Sequence, residues 1–259
     1  MFGYRSPSTN RRVRAILFDT FGTVVDWRSG ITAAVQTFRR EHDITVDAEE
    51  FAMSWRERYQ PSMEPIRSGA RSYVTLDVLH RESLEAVLQA TGVQASAIAE
   101  HELQALARSW RFLPPWPDSV EGIGELKSRF VVGPLSNGHT ALLVEMAKYA
   151  GLPWDVVLGS DVSRVYKPER EAYLAQARLL DLDPGEVMLV AAHNGDLAAA
   201  QGAGLATAFV ARPREYGSRQ TTDLAPTGDW DVSVSSITEL ARRLGAEAGP
   251  GRDDAMPTA

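Results

Sequence analysis

The stretch Ala15-Ile16-Leu17-Phe18-Asp19-Thr20-Phe21-Gly22-Thr23 decides how this chain is read. Four apolar residues make a short buried strand, and a carboxylate follows at once, on a turn that Gly22 allows to be tight. An Asp at the end of a buried strand is a candidate nucleophile, although an isolated Asp there equally serves as a turn cap. No second carboxylate follows two residues on, where Phe21 stands. The acid beside a nucleophile decides which leaving group a site can handle, so this vacancy bears on the reaction.

Short apolar runs alternate with helical patterns over the second half of the chain, the signature of a parallel sheet with crossover helices. Strands are predicted at Ala15 to Phe18, Phe130 to Leu135, Val156 to Gly159, Val187 to Ala191, Ala206 to Val210 and Val232 to Val234. Helices are predicted at about Ser119 to Ser128, Thr140 to Ala150, Glu169 to Leu180, Leu197 to Ala203 and Ile237 to Leu244. The last opens on a capping box, Ser236 with Glu239, and Asp183-Pro184-Gly185 signals the turn into the fourth strand. Trp27 to Pro115 differs, with helical periodicity and long polar faces, and it leaves through Leu113-Pro114-Pro115-Trp116-Pro117, a stiff linker. The expected architecture is α/β, a core of residues 13–26 and 116–244 carrying a helical cap at 27–115. Residues 1–12 and 245–259 read as flexible tails. In open parallel sheets ligands sit outside the carboxyl ends of the strands, so Asp19, Ser136, Gly159 to Asp161 and Ala191 to Asp196 should converge on one crevice.

The 259 residues are 44% apolar and 24% charged, ordinary values for a globular protein. With no cysteine, thiolate nucleophiles, disulfides, Cys-ligated zinc and iron–sulfur clusters are excluded, which fits a reducing cytoplasm. The net charge of −7 argues against a general affinity for nucleic acid. Neither a secretory signal nor a run approaching the roughly 20 apolar residues of a membrane span is present, and no internal repeat is found. A cytoplasmic protein acting on a small molecule is expected.

Four strand-end segments carry polar groups. In the first, the Thr23 hydroxyl can turn back to orient Asp19. The second is Leu135-Ser136-Asn137-Gly138, where a serine at a strand end is commonly a cap. The third is Tyr166-Lys167-Pro168, with Pro168 suited to a first helical turn and Tyr173 beyond it. A lysine beside a carboxylate keeps it ionised; alone it would read as solvated surface. The fourth is Ala191-Ala192-His193-Asn194-Gly195-Asp196, in which Asp196 could orient water, pair with Lys167, hold a metal or cap the following helix.

In their order and spacing these segments resemble the haloacid dehalogenase superfamily from about Val13 to Pro213. That resemblance implies a Rossmann-like three-layer α/β/α core with an inserted helical cap. Most members are phosphatases with a second Asp two residues after the nucleophile, to protonate the leaving oxygen. Phe21 occupies that place, and only Asp196 stands in the final acidic segment, ahead of Ala198 to Ala200. A phosphomonoester needs a general acid and a cation for its phosphoryl group, whereas chloride or bromide leaves without a proton. The chain is therefore more similar to the L-2-haloacid dehalogenases, whose aromatic, serine–asparagine pair and lysine followed six residues on by tyrosine recur here as Phe21, Ser136-Asn137 and Lys167 with Tyr173.

The resemblance implies that Asp19 attacks the halogen-bearing carbon and that water cleaves the resulting aspartyl ester, with no metal or other cofactor. It places Thr23, Lys167, Tyr173 and Asp196 in the catalytic set, Thr23 and Lys167 holding Asp19 and Asp196 helping to place the water. Phe21, Ser136, Asn137, His193 and Asn194 would line the substrate. The halide would be received by Asn137 and a cap arginine, aligned with Arg56, with Arg58 as its neighbouring competitor; both also read as solvent-facing helix charges. A homodimer is common in that family. The fourth segment departs from the family pattern Ser-Ser-Asn-x-Trp-Asp by losing two hydroxyls and an indole and gaining His193. That extra donor would suit small substrates including fluoroacetate, because fluoride gains most from hydrogen bonding as it leaves. The rival readings are a Mg²⁺-dependent phosphatase using Asp19, the Phe21 carbonyl and Asp196, and a non-catalytic binding protein on the same fold.

Overall fold

The computed structural model describes residues 4–247. Five parallel strands form one sheet in the order β2-β1-β3-β4-β5. They are β1 (Ala15–Phe18), β2 (Val131–Pro134), β3 (Val187–Ala191), β4 (Ala206–Val210) and β5 (Val232–Val234). Leu17 sits between Gly133 and Leu189, which makes β1 a central strand. β1, β3 and β4 are buried at every residue, as a sheet covered on both faces requires.

Alternation along the strands sorts their side chains into two cores. Ile16, Phe18, Met188 and Val190 face α6 (Ser119–Lys127), α7 (Thr140–Ala150) and α11 (Ile237–Glu247). Ala15, Leu17, Val187 and Leu189 pack with α9 (Arg170–Leu179) and α10 (Asn194–Ala203), which follow the four-residue α8 (Ser160–Ser163). The result is the expected three-layer sandwich.

Between β1 and α6 the chain runs through α1 (Trp27–Glu41), α2 (Ala48–Glu57), α3 (Tyr59–Arg67), α4 (Leu76–Ala90) and α5 (Glu100–Ala107). Each long helix of this insertion buries one stripe, such as Trp27, Ile31, Val35 and Phe38 on α1, the spacing of an amphipathic helix. The stretches entering and leaving the insertion are bonded to each other. Asp26 N–H donates to Pro114 O at 2.8 Å and Trp116 N–H to Val24 O at 3.0 Å.

Three expectations are corrected. Val156 to Gly159 is not a strand, because the segment gains only Asp155 and Val156 N–H bonds to the Val132 carbonyl and no ladder. Pro168 lies ahead of α9, which starts at Arg170, and the Lys167–Pro168 peptide is cis. Tyr4 to Arg12 is not a tail: Tyr4 and Ser6 are buried, and Asp231 accepts from the Ser6 and Ser8 hydroxyls. At the other end α11 reaches Glu247, and the remainder of the expected C-terminal tail lies outside the described residues.

Candidate active site

The chain leaves β1 with Asp19 N–H still bonded to Val190 O, then turns back so that Val24 N–H meets Thr20 O. Gly22 takes φ +89° in this turn, and a Cβ there would lie 2.1 Å from a Glu215 carboxylate oxygen. The turn brings the Thr23 hydroxyl 2.8 Å from Asp19 Oδ2, to which it donates, while it accepts from Ala192 N–H at 2.9 Å. Thr23 thus ties the Asp19 turn to the end of β3. It lies behind the cleft wall rather than on it.

Lys167 reaches the other carboxylate oxygen. Its Nζ donates to Asp19 Oδ1 at 2.9 Å, to Leu135 O at 3.1 Å and to Asp196 Oδ2 at 2.5 Å. Asp196 also accepts from the Tyr173 hydroxyl at 2.6 Å. Asp196 therefore pairs with Lys167, and it sits in the first turn of α10 rather than capping it. The Lys167 N–H is held by Asn137 Oδ1 at 2.7 Å, and Asn137 and Tyr59 both line the cleft.

His193 forms the third contact to Asp19, with Nδ1 3.1 Å from Oδ2. Its Nε2 lies 2.9 Å from Glu215 Oε2, and Glu215 Oε1 accepts from Trp27 Nε1 at 2.8 Å. Two buried carboxylates on one imidazole favour its charged form. Burial alone would lower the His193 value, but the Glu215 charge and the bonds to Asp19 and Glu215 lift it well above the ordinary 6.5. Burial alone would raise the Asp19 carboxyl; Lys167 and His193 outweigh it and hold Asp19 far below the ordinary carboxylate range. The same exchange raises Lys167: burial opposes its charge, and Asp19 and Asp196 restore it. At neutral pH Asp19 is a carboxylate between two cations.

Arg56 overhangs from α2. Its guanidinium stacks 4.3 Å from the Tyr59 ring centroid, lies 5.3 Å from the Trp27 ring centroid and approaches Glu215 Oε1 at 3.9 Å. Its buried NH1 has no hydrogen-bond partner among the described residues, which is a costly state for a charged donor unless an anion meets it. A cleft of about 540 Å³ collects Asp19, Phe21, Arg56, Asn137, Lys167, Tyr173, His193 and Asp196 on its wall.

Two expected contributors stand elsewhere. Asn194 does not line the cleft: its amide donates to Asp223 Oδ1 and Ala225 O and accepts from Thr227 N–H and Trp230 Nε1, so all its capacity goes to the β4–β5 connection. Ser136 is buried off the wall, its hydroxyl accepting from Gly138 N–H at 3.1 Å to close the turn after β2. Arg58 is also absent from the wall, which separates it from Arg56. Glu215, Tyr59 and Tyr216 were not anticipated. Glu215 had one signal, its position five residues beyond an apolar strand, where the other site residues also cluster.

The family model described as a haloacid dehalogenase-like hydrolase matches residues 13–204. The chain belongs to the haloacid dehalogenase-like hydrolases. Among solved structures it is similar to a defluorinating L-2-haloacid dehalogenase, at 59% identity and a TM-score of 0.93 over 94% of this chain and 99% of that one. A second L-2-haloacid dehalogenase superposes with a TM-score of 0.86 at 47% identity, over 90% of this chain and 99% of that one. The (S)-2-haloacid dehalogenase of Xanthobacter autotrophicus is 28% identical over 204 residues, 77% of this chain and 76% of its own. Within this family of hydrolases, the aromatic at position 21 and the charged ring around Asp19 set the chemistry available to the chain.

Proposed function

We propose that the protein hydrolyses short 2-haloalkanoic acids, haloacetate and 2-halopropionate, to 2-hydroxy acids through an ester on Asp19. The observation that carries this reading is an ionised Asp19 ringed by donors, with Phe21 where a leaving-group acid would stand. An Asp19 oxygen attacks the halogen-bearing carbon, the carbon–halogen pair departs with the halide, and an ester forms. Arg56, with its unpartnered NH1, and Asn137 receive the halide. Water then adds to the Asp19 carboxyl carbon, and cleavage of the acyl carbon–oxygen bond frees the 2-hydroxy acid. Esterification removes one of the two negative charges that hold the His193 proton, so His193 releases it to solvent more readily and the neutral imidazole can accept a proton from the attacking water. Asp196, oriented by Tyr173 and Lys167, positions that water. Neither step draws on a cofactor.

Fluoroacetate belongs in the same reading, supported by the His193 donor beside Asp19 and by the 59% identical relative whose description is defluorinating. Residues 27–115 act as the cap over a core of 13–26 and 116–244, and the cysteine-free chain works in the cytoplasm as a homodimer, which light scattering checks. No helix among the described residues is long and apolar enough to cross a membrane.

The deciding assay incubates the protein with 2-chloropropionate, chloroacetate and fluoroacetate in the presence of chelator and measures free halide. Release by the wild type and none by Asp19→Asn is expected. No halide, with Mg²⁺-dependent hydrolysis of a phosphomonoester instead, would overturn the reading in favour of a phosphatase. Inactivity in both assays would leave the non-catalytic alternative.

A further inference from the structure

Lys167 has two handles besides its ammonium group. From the core, Asn137 Oδ1 accepts its backbone N–H at 2.7 Å. From the cap, Arg67 Nε donates to its carbonyl at 3.0 Å. Arg67 ends α3, and its side chain is only 10% exposed although it carries a full charge. The rest of its guanidinium is turned toward the cleft rim: NH2 donates to Gln60 Oε1 at 2.6 Å, and Gln60 lines the cleft. Its carboxylate neighbour, Glu64, is 3.5 Å from NH1 and exposed, a contact of little worth. The strongest partners of this half-buried charge are thus a wall residue and the carbonyl of the lysine that grips Asp19.

We infer that Arg67 is a positioning residue for Lys167: by holding its carbonyl from the cap, Arg67 registers the seating of the cap as the placement of the ammonium group between Asp19 and Asp196. The inference rests on the role proposed above for Lys167. A long side chain fixes its tip only as well as its backbone is fixed, and a misplacement of about 1 Å near reacting groups costs on the order of a hundredfold in rate. The Lys167 ammonium faces Asp19 and His193 at the ends of β1 and β3, Asp196 on α10, Tyr173 on α9 and Tyr59 on α3. Release of the carbonyl lets Nζ retreat from both carboxylates, and its proton is then held less strongly.

The chain has three lysines, Lys127, Lys148 and Lys167, so lysine-selective ¹³C labelling gives an NMR spectrum in which Lys167→Met assigns the Lys167 signal. In Arg67→Met, which keeps the apolar stem, the Lys167 side-chain signal at neutral pH is expected to shift from its wild-type position as the ammonium group leaves Asp19 and Asp196. Halide release should fall about tenfold or more in kcat with KM within about twofold. Arg67→Lys, with one donor left for the carbonyl, should recover part of both. A folded Arg67→Met with the wild-type Lys167 chemical shifts overturns the inference, even where its melting temperature drops, since packing alone would do that. If the wild type releases no halide, the proposed function fails, and the Lys167 chemical shifts still decide the role of Arg67.

Discussion

Glu215 works at one remove from the reacting atoms. It is 1% exposed, holds Trp27 Nε1, crowds Gly22 and fixes the far nitrogen of His193. Its effect on His193 has a definite sign. Glu215 and Asp19 lift the folded-state value above 6.5, so the charged imidazole contributes stability in full below that value and loses it as pH rises through the raised one. Asp19 runs the other way: its depressed value makes the carboxylate contribution complete above about 3.9 and lost only as pH falls toward the folded-state value. Glu215→Gln keeps the shape and removes a charge. His193 should then lose its proton at lower pH, and the alkaline limb of kcat/KM for chloroacetate should move to lower pH. Activity at neutral pH should drop by about a hundredfold if the imidazolium assists halide departure. A wild-type alkaline limb in Glu215→Gln would separate Glu215 from the protonation of His193.

At the scale of elements, legibility followed the range of the interactions. β1, β3, β4 and β5 lie where short apolar runs bounded by turn residues placed them, because burial on both sheet faces writes itself into consecutive residues. Val156 to Gly159 has the same composition without a partner ladder, and composition cannot report a missing neighbour. Asp19, Lys167, His193 and Asp196 were legible because each sits at a strand end or just before a helix, where topology gathers ligands. Glu215 was not, since Arg212-Pro213-Arg214-Glu215 reads as a charged surface turn until Trp27 and His193 close over it. Asn194 failed for a similar reason: its partners lie 29 to 36 residues downstream. It pins the connection that brings Tyr216 and Asp223 to the cleft wall. Asn194→Ala removes four side-chain hydrogen bonds and should cost about 3 kcal/mol. Urea midpoints measure that loss, and KM should rise more than kcat falls, because the wall loosens while Asp19 and Lys167 stay in place. A variant with wild-type stability would show that solvent replaces those bonds without cost.

Across the whole molecule, cap and core share one continuous apolar cluster through Phe21, Trp27 and Trp110, and a charged clasp closes its outer side. Arg111, 7% exposed and just after α5, pairs with Asp77 on α4 and with Glu145 on α7, and its NH2 lies 3.3 Å from His139 Nε2. Burial and the Arg111 charge lower His139, with Asp77 opposing them. Burial would raise Glu145, but its bonds to Arg111 and Arg108 hold it below the ordinary value, so that contribution is present above about 4.5 and fades as pH falls. Arg111→Met leaves Asp77 and Glu145 without their shared cation. Breaking a fully buried pair costs about 3–5 kcal/mol, and because Glu145 is 38% exposed at its side chain, solvent screening reduces the expected loss to about 2–3 kcal/mol at pH 7.5. At pH 5 the gap between variant and wild type should narrow. The Glu145 contribution is still present there, but in the variant His139, freed of the arginine charge, takes a proton beside Asp77 and restores a cation to the clasp. Urea unfolding of both proteins at the two pH values tests this, and a gap that stays constant or widens would show that the clasp acts through packing of the Arg111 stem rather than through charge.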